Sequence, residues 1–309
     1  MPNPGQEVDC SKLLPCRVEW GTLALILGCY GLWLAVLFWM PGVSLALTVF
    51  CLGVLAALHS SLTHEALHGH PFRNRLLNEA LLFLPLTLFI PYGRFRDTHL
   101  AHHQDERLTD PYDDPETNFQ DPAIWAQMPG WRRVILQVNN TLLGRVLVGP
   151  LLGQICFMAG DWRAARRGNR NVARDWVLHG IGVTLLLGIV AVTPAPLWAL
   201  GLGAYMGLGL VKIRTFLEHR AHSDCHSRTV VIEDSGPLAW LFLNNNLHIV
   251  HHLHPGVPWY ALPRLYRENR DSFLGANQGY HYPNYKEVMA RYLLRSKDPV
   301  PHPLWSSKD

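Results

Sequence analysis

The chain has 309 residues, of which 49% are hydrophobic and only 17% charged, with a formal net charge of +3. So low a charged fraction sets it apart from an ordinary soluble domain, and so small a basic excess gives no reason to expect a nucleic-acid partner. The six cysteines are scattered, without the spacing of a disulfide framework or a zinc ribbon.

Met1 to Glu19 lacks the apolar centre of a signal peptide, and Cys10 and Cys16 within it read as ordinary cysteines. From Trp20 to His64 there is no Asp, Glu, Lys or Arg, and Pro41-Gly42 interrupts the run. A bilayer takes roughly 20 residues of helix, so this run predicts spans near 21–40 and 43–63. The apolar stretch from Ala80 to Gly93 is short and holds Pro85, which suits a re-entrant or interfacial segment. Val146 to Gly160, with Pro150 inside it, reads the same way. A second charge-free run, Trp176 to Val211, is broken at Pro194-Ala195-Pro196 and predicts spans near 176–193 and 197–217. Backbone groups in lipid must be satisfied within their own segment, so both runs should be helical hairpins.

The stretch from Glu65 to Asp175 contains thirteen Arg, whereas the two hairpin tips carry no charge. The positive-inside rule therefore places the N-terminus and the parts 64–175 and 218–309 in the cytoplasm, with a bacterial inner membrane as the expected setting. The expected fold is all-α, a single polytopic membrane domain over 1–309. It has about four transmembrane helices in two hairpins, re-entrant or interfacial helices, and a cytoplasmic helical cap. The Arg cluster at 163–174 is expected to face lipid phosphate, an acidic electron carrier or plain solvent.

Histidine placement carries the functional argument. His64 and His68 form H-x-x-x-H, His99, His102 and His103 form H-x-x-H-H, and His248, His251 and His252 repeat that pattern. Residues i, i+3 and i+4 share one face of a helix, so each box presents its imidazoles toward a common point. All three boxes fall on the expected cytoplasmic side. Neutral imidazole suits zinc, copper, iron or nickel, but one tetrahedral zinc takes at most about four protein ligands. Eight box histidines thus point to two metals of higher coordination number, for which two iron ions fit best.

The strings HEALH at 64–68, HLAHH at 99–103 and HIVHH at 248–252 stand in an order and rough spacing that resemble the membrane-bound fatty acid desaturase superfamily, with its alkane hydroxylase and carotenoid ketolase relatives. The resemblance runs from the first span to about Tyr282. It implies a cytoplasmic di-iron centre, dioxygen as cosubstrate, and electrons from a separate donor such as a ferredoxin with its reductase. It also implies a ninth ligand beyond the last span, where His219 in Glu218-His219-Arg220-Ala221-His222 is favoured over His222.

Glu65, Glu218, His222 and Asn245 are candidates for supporting the ligands from behind, as is Asp110 in the acidic string with Asp113, Asp114 and Glu116. The expected activity is dioxygen-dependent desaturation of a fatty acyl chain in a membrane lipid. The alternative is hydroxylation of an alkane, a terpenoid or a small methyl ether. A zinc-binding carrier or sensor is the competing reading from another class. A carrier, however, should hold its ligands near the bilayer midplane, where this chain has no acidic residue.

Overall fold

The computed structural model describes residues 18–305, so Cys10 and Cys16 lie outside the described residues. Among those residues the fold is all-α apart from one two-stranded parallel pair, β1 (Val231–Ile232) with β2 (His281–Tyr282). The principal helices are α1 (Trp20–Trp39), α2 (Leu45–Leu67), α3 (Arg75–Leu81), α4 (Tyr92–His102), α5 (Gly149–Arg166), α6 (Arg170–Ala191), α7 (Leu197–Thr215) and α8 (His248–Leu253). The chain packs as two compact units, one containing 18–97 and 149–212 and the other 98–148 and 213–305.

In the first unit, α1, α2 and α6 are each long and apolar enough to cross a membrane. Ser44 caps α2 by accepting the Leu47 N–H, and Asn169 caps α6 by accepting that of Val172. On α1 the buried positions Thr22, Ile26, Cys29, Trp33 and Leu37 recur at helical spacing, while Leu27, Leu32 and Phe38 are exposed. An apolar outer face of this kind is what lipid contact requires. The segment expected as a span near 197–217 is helix α7, but it is not among the three, and it carries Lys212 and Arg214 toward its end.

Helix α7 packs on α2 through small residues. A Cβ on Gly207 would stand 2.7 Å from Ala56 Cβ and 2.8 Å from the Gly53 carbonyl oxygen, and one on Gly203 would stand 2.7 Å from Leu52 Cβ. Glycines four apart let two backbones approach this closely. Elsewhere in the unit, Arg94 makes a two-pronged pair with the buried Asp161 at 2.8 and 2.9 Å, and Trp176 Nε1 donates to the same carboxylate.

The two segments expected as re-entrant or interfacial take different forms. Residues 149–166 form the helix α5, which Pro150 does not interrupt because it falls in the first turn, where no helical N–H is needed. The stretch Ala80–Gly93 contributes only the end of α3 and the start of α4. Between them the backbone is irregular, with Leu88 at φ 65°.

The second unit has its own core, in which Val231, Leu247, Ile249, Val250, Leu262 and Leu265 are buried together. Ile249 and Val250 point one side of α8 into that core, so the histidines of the same short helix are held rigidly from behind. Strand register pairs Val231 with His281 and Ile232 with Tyr282. Beside the strands, Glu233 accepts from Arg270 at 2.5 Å, Tyr266 Oη at 2.6 Å and His281 Nε2 at 2.8 Å.

Candidate metal centre

The second unit gathers seven imidazoles into two groups. His102, His219, His248 and His252 form one, with ligand nitrogens within 4.8 Å of one another; His99, His103 and His251 meet the same limit. Each H-x-x-H-H box is therefore divided. The i, i+4 pair His99 and His103 takes His251 from the other box, and the i, i+4 pair His248 and His252 takes His102. The groups adjoin, since the His103 and His252 rings stack with centroids 4.3 Å apart.

In the four-histidine group, His219 Nε2 lies 2.9 Å from His102 Nε2 and 3.2 Å from His248 Nε2. The opposite nitrogens are anchored. His102 Nδ1 donates to Asp114 Oδ1 at 2.8 Å, and His248 Nδ1 donates to Asn245 Oδ1 at 3.0 Å. With Nδ1 of both rings committed as a donor, His219 Nε2 can satisfy only one of the two Nε2 atoms that converge on it, whether it donates or accepts. A cation among the three resolves this. Imidazoles at right angles on one first-row metal, each about 2.1 Å away, stand about 3 Å apart, which fits the two distances.

The three-histidine group repeats the plan. His103 Nε2 lies 2.9 Å from His99 Nε2 and 3.2 Å from His251 Nε2, with Glu116 3.2 Å behind His99 Nδ1. Ring orientation fixed by a second hydrogen bond is the usual support for a metal-bound imidazole. The donor set is all nitrogen in both groups and fits iron, copper or zinc.

Burial and the neighbouring imidazoles hold His219 and His248 well below the ordinary histidine range, so both are neutral and ready to bind a cation. Burial also lowers His102, but Glu116, Asp114 and Glu218 outweigh it and push His102 up to about 9. A metal entering this group must displace that proton. Glu218 is raised by burial against the pull of Arg214, its neighbour at 3.0 Å.

The remaining candidates sort as follows. His219 is held in place by backbone pairing with Thr229, and its carbonyl oxygen accepts from Lys297 Nζ. His222 engages its own loop, its Nδ1 accepting the Asp224 N–H at 3.1 Å. Asp110 likewise serves a turn, accepting the backbone N–H groups of Tyr112 and Asp113. The supporting carboxylates are instead Asp114 and Glu116, because the turn aims the later members of the acidic string at the histidines. Glu218 lies 3.8 Å from His248 Nδ1, too far for a hydrogen bond, whereas Asn245 makes one. In the first unit, His64 and His68 bring their rings to 5.1 Å at the end of α2, and Glu65 is 3.9 Å from His64 Nδ1. The contributions of Lys297 and Thr229 had no signal in the sequence, since both are distant in the chain from every box.

A family model described as fatty acid desaturase matches residues 37–284. Beta-carotene ketolase from Paracoccus sp. (strain N81106 / MBIC 01143) is 23% identical over 229 residues, covering 71% of this chain and 76% of the ketolase. The family match takes in all three histidine boxes and His219, and on it the chain belongs to the fatty acid desaturase family.

Proposed function

We propose that this protein is a membrane-bound di-iron oxidoreductase that uses dioxygen and two electrons to desaturate a fatty acyl chain. The observation that carries this reading is the convergence of His102 and His248 on His219, with their outer nitrogens tied to Asp114 and Asn245. His102, His219, His248 and His252 would hold one iron, and His99, His103 and His251 would serve the second. His64 and His68 complete the family's box pattern and are the remaining ligands of the proposal. Two bound irons would supply the activation of dioxygen needed to break an unactivated C–H bond.

The chain's own part is positional. Asp114 and Asn245 keep His102 and His248 in one tautomer, and burial of His248, His251 and His252 limits access of water. Helices α1, α2, α6 and α7 are read as four spans, with the boxes on the cytoplasmic side of a bacterial inner membrane, on the strength of the arginine distribution. Electrons would come from a separate carrier such as a ferredoxin with its reductase.

Similarity to a beta-carotene ketolase favours a second reading, di-iron hydroxylation of a terpenoid or other apolar substrate. One experiment separates the two. Cells carrying the intact protein or His248→Ala are grown under oxygen-18 gas, and lipid and small-metabolite extracts are compared by mass spectrometry. Desaturation yields a product lighter by two hydrogens, without label, that disappears in the variant. Labelled oxygen in the product overturns desaturation in favour of hydroxylation. Purified protein carrying one zinc and no iron overturns both in favour of a zinc-binding carrier or sensor.

A further inference from the structure

In the unit built from 18–97 and 149–212, a cavity of about 50 Å³ lies among α2, the segment leading into α4, and the start of α6. Its wall is largely apolar but includes six polar side chains, those of His59, Thr63, Glu79, Tyr92, Asp175 and His179. Most of these are already engaged. His59 Nε2 meets Tyr30 Oη at 3.0 Å, Thr63 donates to the His59 carbonyl at 2.8 Å, His179 Nε2 donates to the Leu88 carbonyl at 2.9 Å, and Glu79 lies 3.8 Å from Arg96.

Two buried atoms on this wall have no hydrogen-bond partner, Tyr92 Oη and Asp175 Oδ2. Asp175 is only 3% exposed, and Arg174 occupies its other oxygen at 2.9 and 3.2 Å. The residue facing it is a glycine: a Cβ on Gly93 would stand 2.4 Å from Oδ2. Any other side chain there would crowd the oxygen that is left unpaired. Leaving one buried polar atom unsatisfied is unfavourable, and two on one cavity wall mark the place of a ligand group.

His179 also lines a neighbouring groove of about 260 Å³, whose other walls include Leu88, Phe89, Met158, Trp176 and Val183. The groove thus adjoins the cavity at a shared residue, and the two buried polar atoms without partners lie on the cavity side. We propose that groove and cavity together bind one amphiphile, its apolar chain along the groove and a hydroxyl headgroup against Asp175 and Tyr92. A hydroxyl has the chemistry for both orphans, since it can donate to a carboxylate oxygen and accept from a phenol. Thr63, on the cavity wall, precedes His64 on α2. Identifying the bound amphiphile as a substrate therefore rests on the oxidoreductase reading above, whereas the binding itself does not.

The test uses the full chain in nanodiscs, both iron-free and iron-loaded, with tritiated hexadecan-1-ol as probe and hexadecyl methyl ether as the analogue that cannot donate. The alcohol is expected to bind saturably and about tenfold more tightly than the ether. Asp175→Ala should weaken alcohol binding about tenfold and Tyr92→Phe a few-fold, with the ether unchanged in both. Ethanol, which lacks the chain, should not compete at the same concentration. Equal affinity for alcohol and ether, unchanged alcohol affinity in Tyr92→Phe, or competition by ethanol overturns the proposal. Tyr92→Phe removes one hydroxyl and no existing bond, so it decides the matter even where Asp175→Ala does not fold. Because binding is read without turnover and without iron, its failure and the failure of the oxidoreductase reading are separate results.

Discussion

Asp114 accepts the His102 Nδ1 proton at 2.8 Å through one oxygen and the Thr109 backbone N–H at 2.9 Å through the other. The carboxylate thereby ties a metal-facing imidazole to the loop that follows α4. Replacing it by alanine frees the ring to rotate and to change tautomer. Asp114→Ala should lower metal affinity about 10–100-fold, read as metal per chain by mass spectrometry and in a chelator competition. Asp114→Asn, which keeps an acceptor for only one of the two hydrogen bonds, should lose less than the alanine variant.

His219 and His222 stand three residues apart but face different surroundings, one against His102 and His248 and the other against the Asp224 backbone. His219→Ala is expected to abolish metal binding in the four-histidine group. His222→Ala should leave metal content within about twofold of the unaltered protein, as expected for a residue outside the ligand set. Equal loss in both variants would reject the assignment of His219.

Gly207 lies where α7 meets α2, with Ala56 Cβ and the Gly53 carbonyl already at contact distance from any added carbon. A larger residue must push the helices apart. Gly207→Leu should destabilise the protein by about 1–3 kcal/mol or more, seen as a lower thermal unfolding midpoint in nanodiscs. Gly201→Leu is the control, since a Cβ at that position meets nothing within 4 Å.

Glu233 is held down to about 2 by its hydrogen bond to Arg270, with Tyr266 and His281 adding to the effect against burial. Its pKa when folded is thus below the ordinary carboxylate value of 4.5. Stability from this group is fully present above that ordinary value and is lost as pH falls toward the folded pKa. The pair is partly solvent-exposed, so screening holds the contribution to about 1 kcal/mol. Glu233→Gln should lower the unfolding midpoint at neutral pH, and the gap to the unaltered protein should narrow between pH 4.5 and about 2.

The sequence made the hairpin helices legible because long charge-free runs have few alternatives to spanning helices once Pro41-Gly42 and Pro194-Ala195-Pro196 mark the breaks. It was less informative about 146–160. The same residue type that breaks a helix interior is harmless in a first turn, and only the fold shows where α5 begins. Among the acidic residues after the second box, composition could nominate Asp110, Asp113, Asp114 and Glu116 together. Which of them reach His99 and His102 depends on turn geometry that adjacent aspartates do not reveal.

Spacing along the chain determined that His99, His102 and His103, and likewise His248, His251 and His252, would emerge close together, because three and four residues return a helix to the same side. It could not determine that neighbours such as His102 and His103 would go to different groups, or that His219 would join the first. Those choices were made by the packing of α4, α8 and the strand-paired segment around His219, which sets how separate elements meet. Helical periodicity is a property of one segment, whereas the meeting of lone pairs from three segments is a property only of the folded chain.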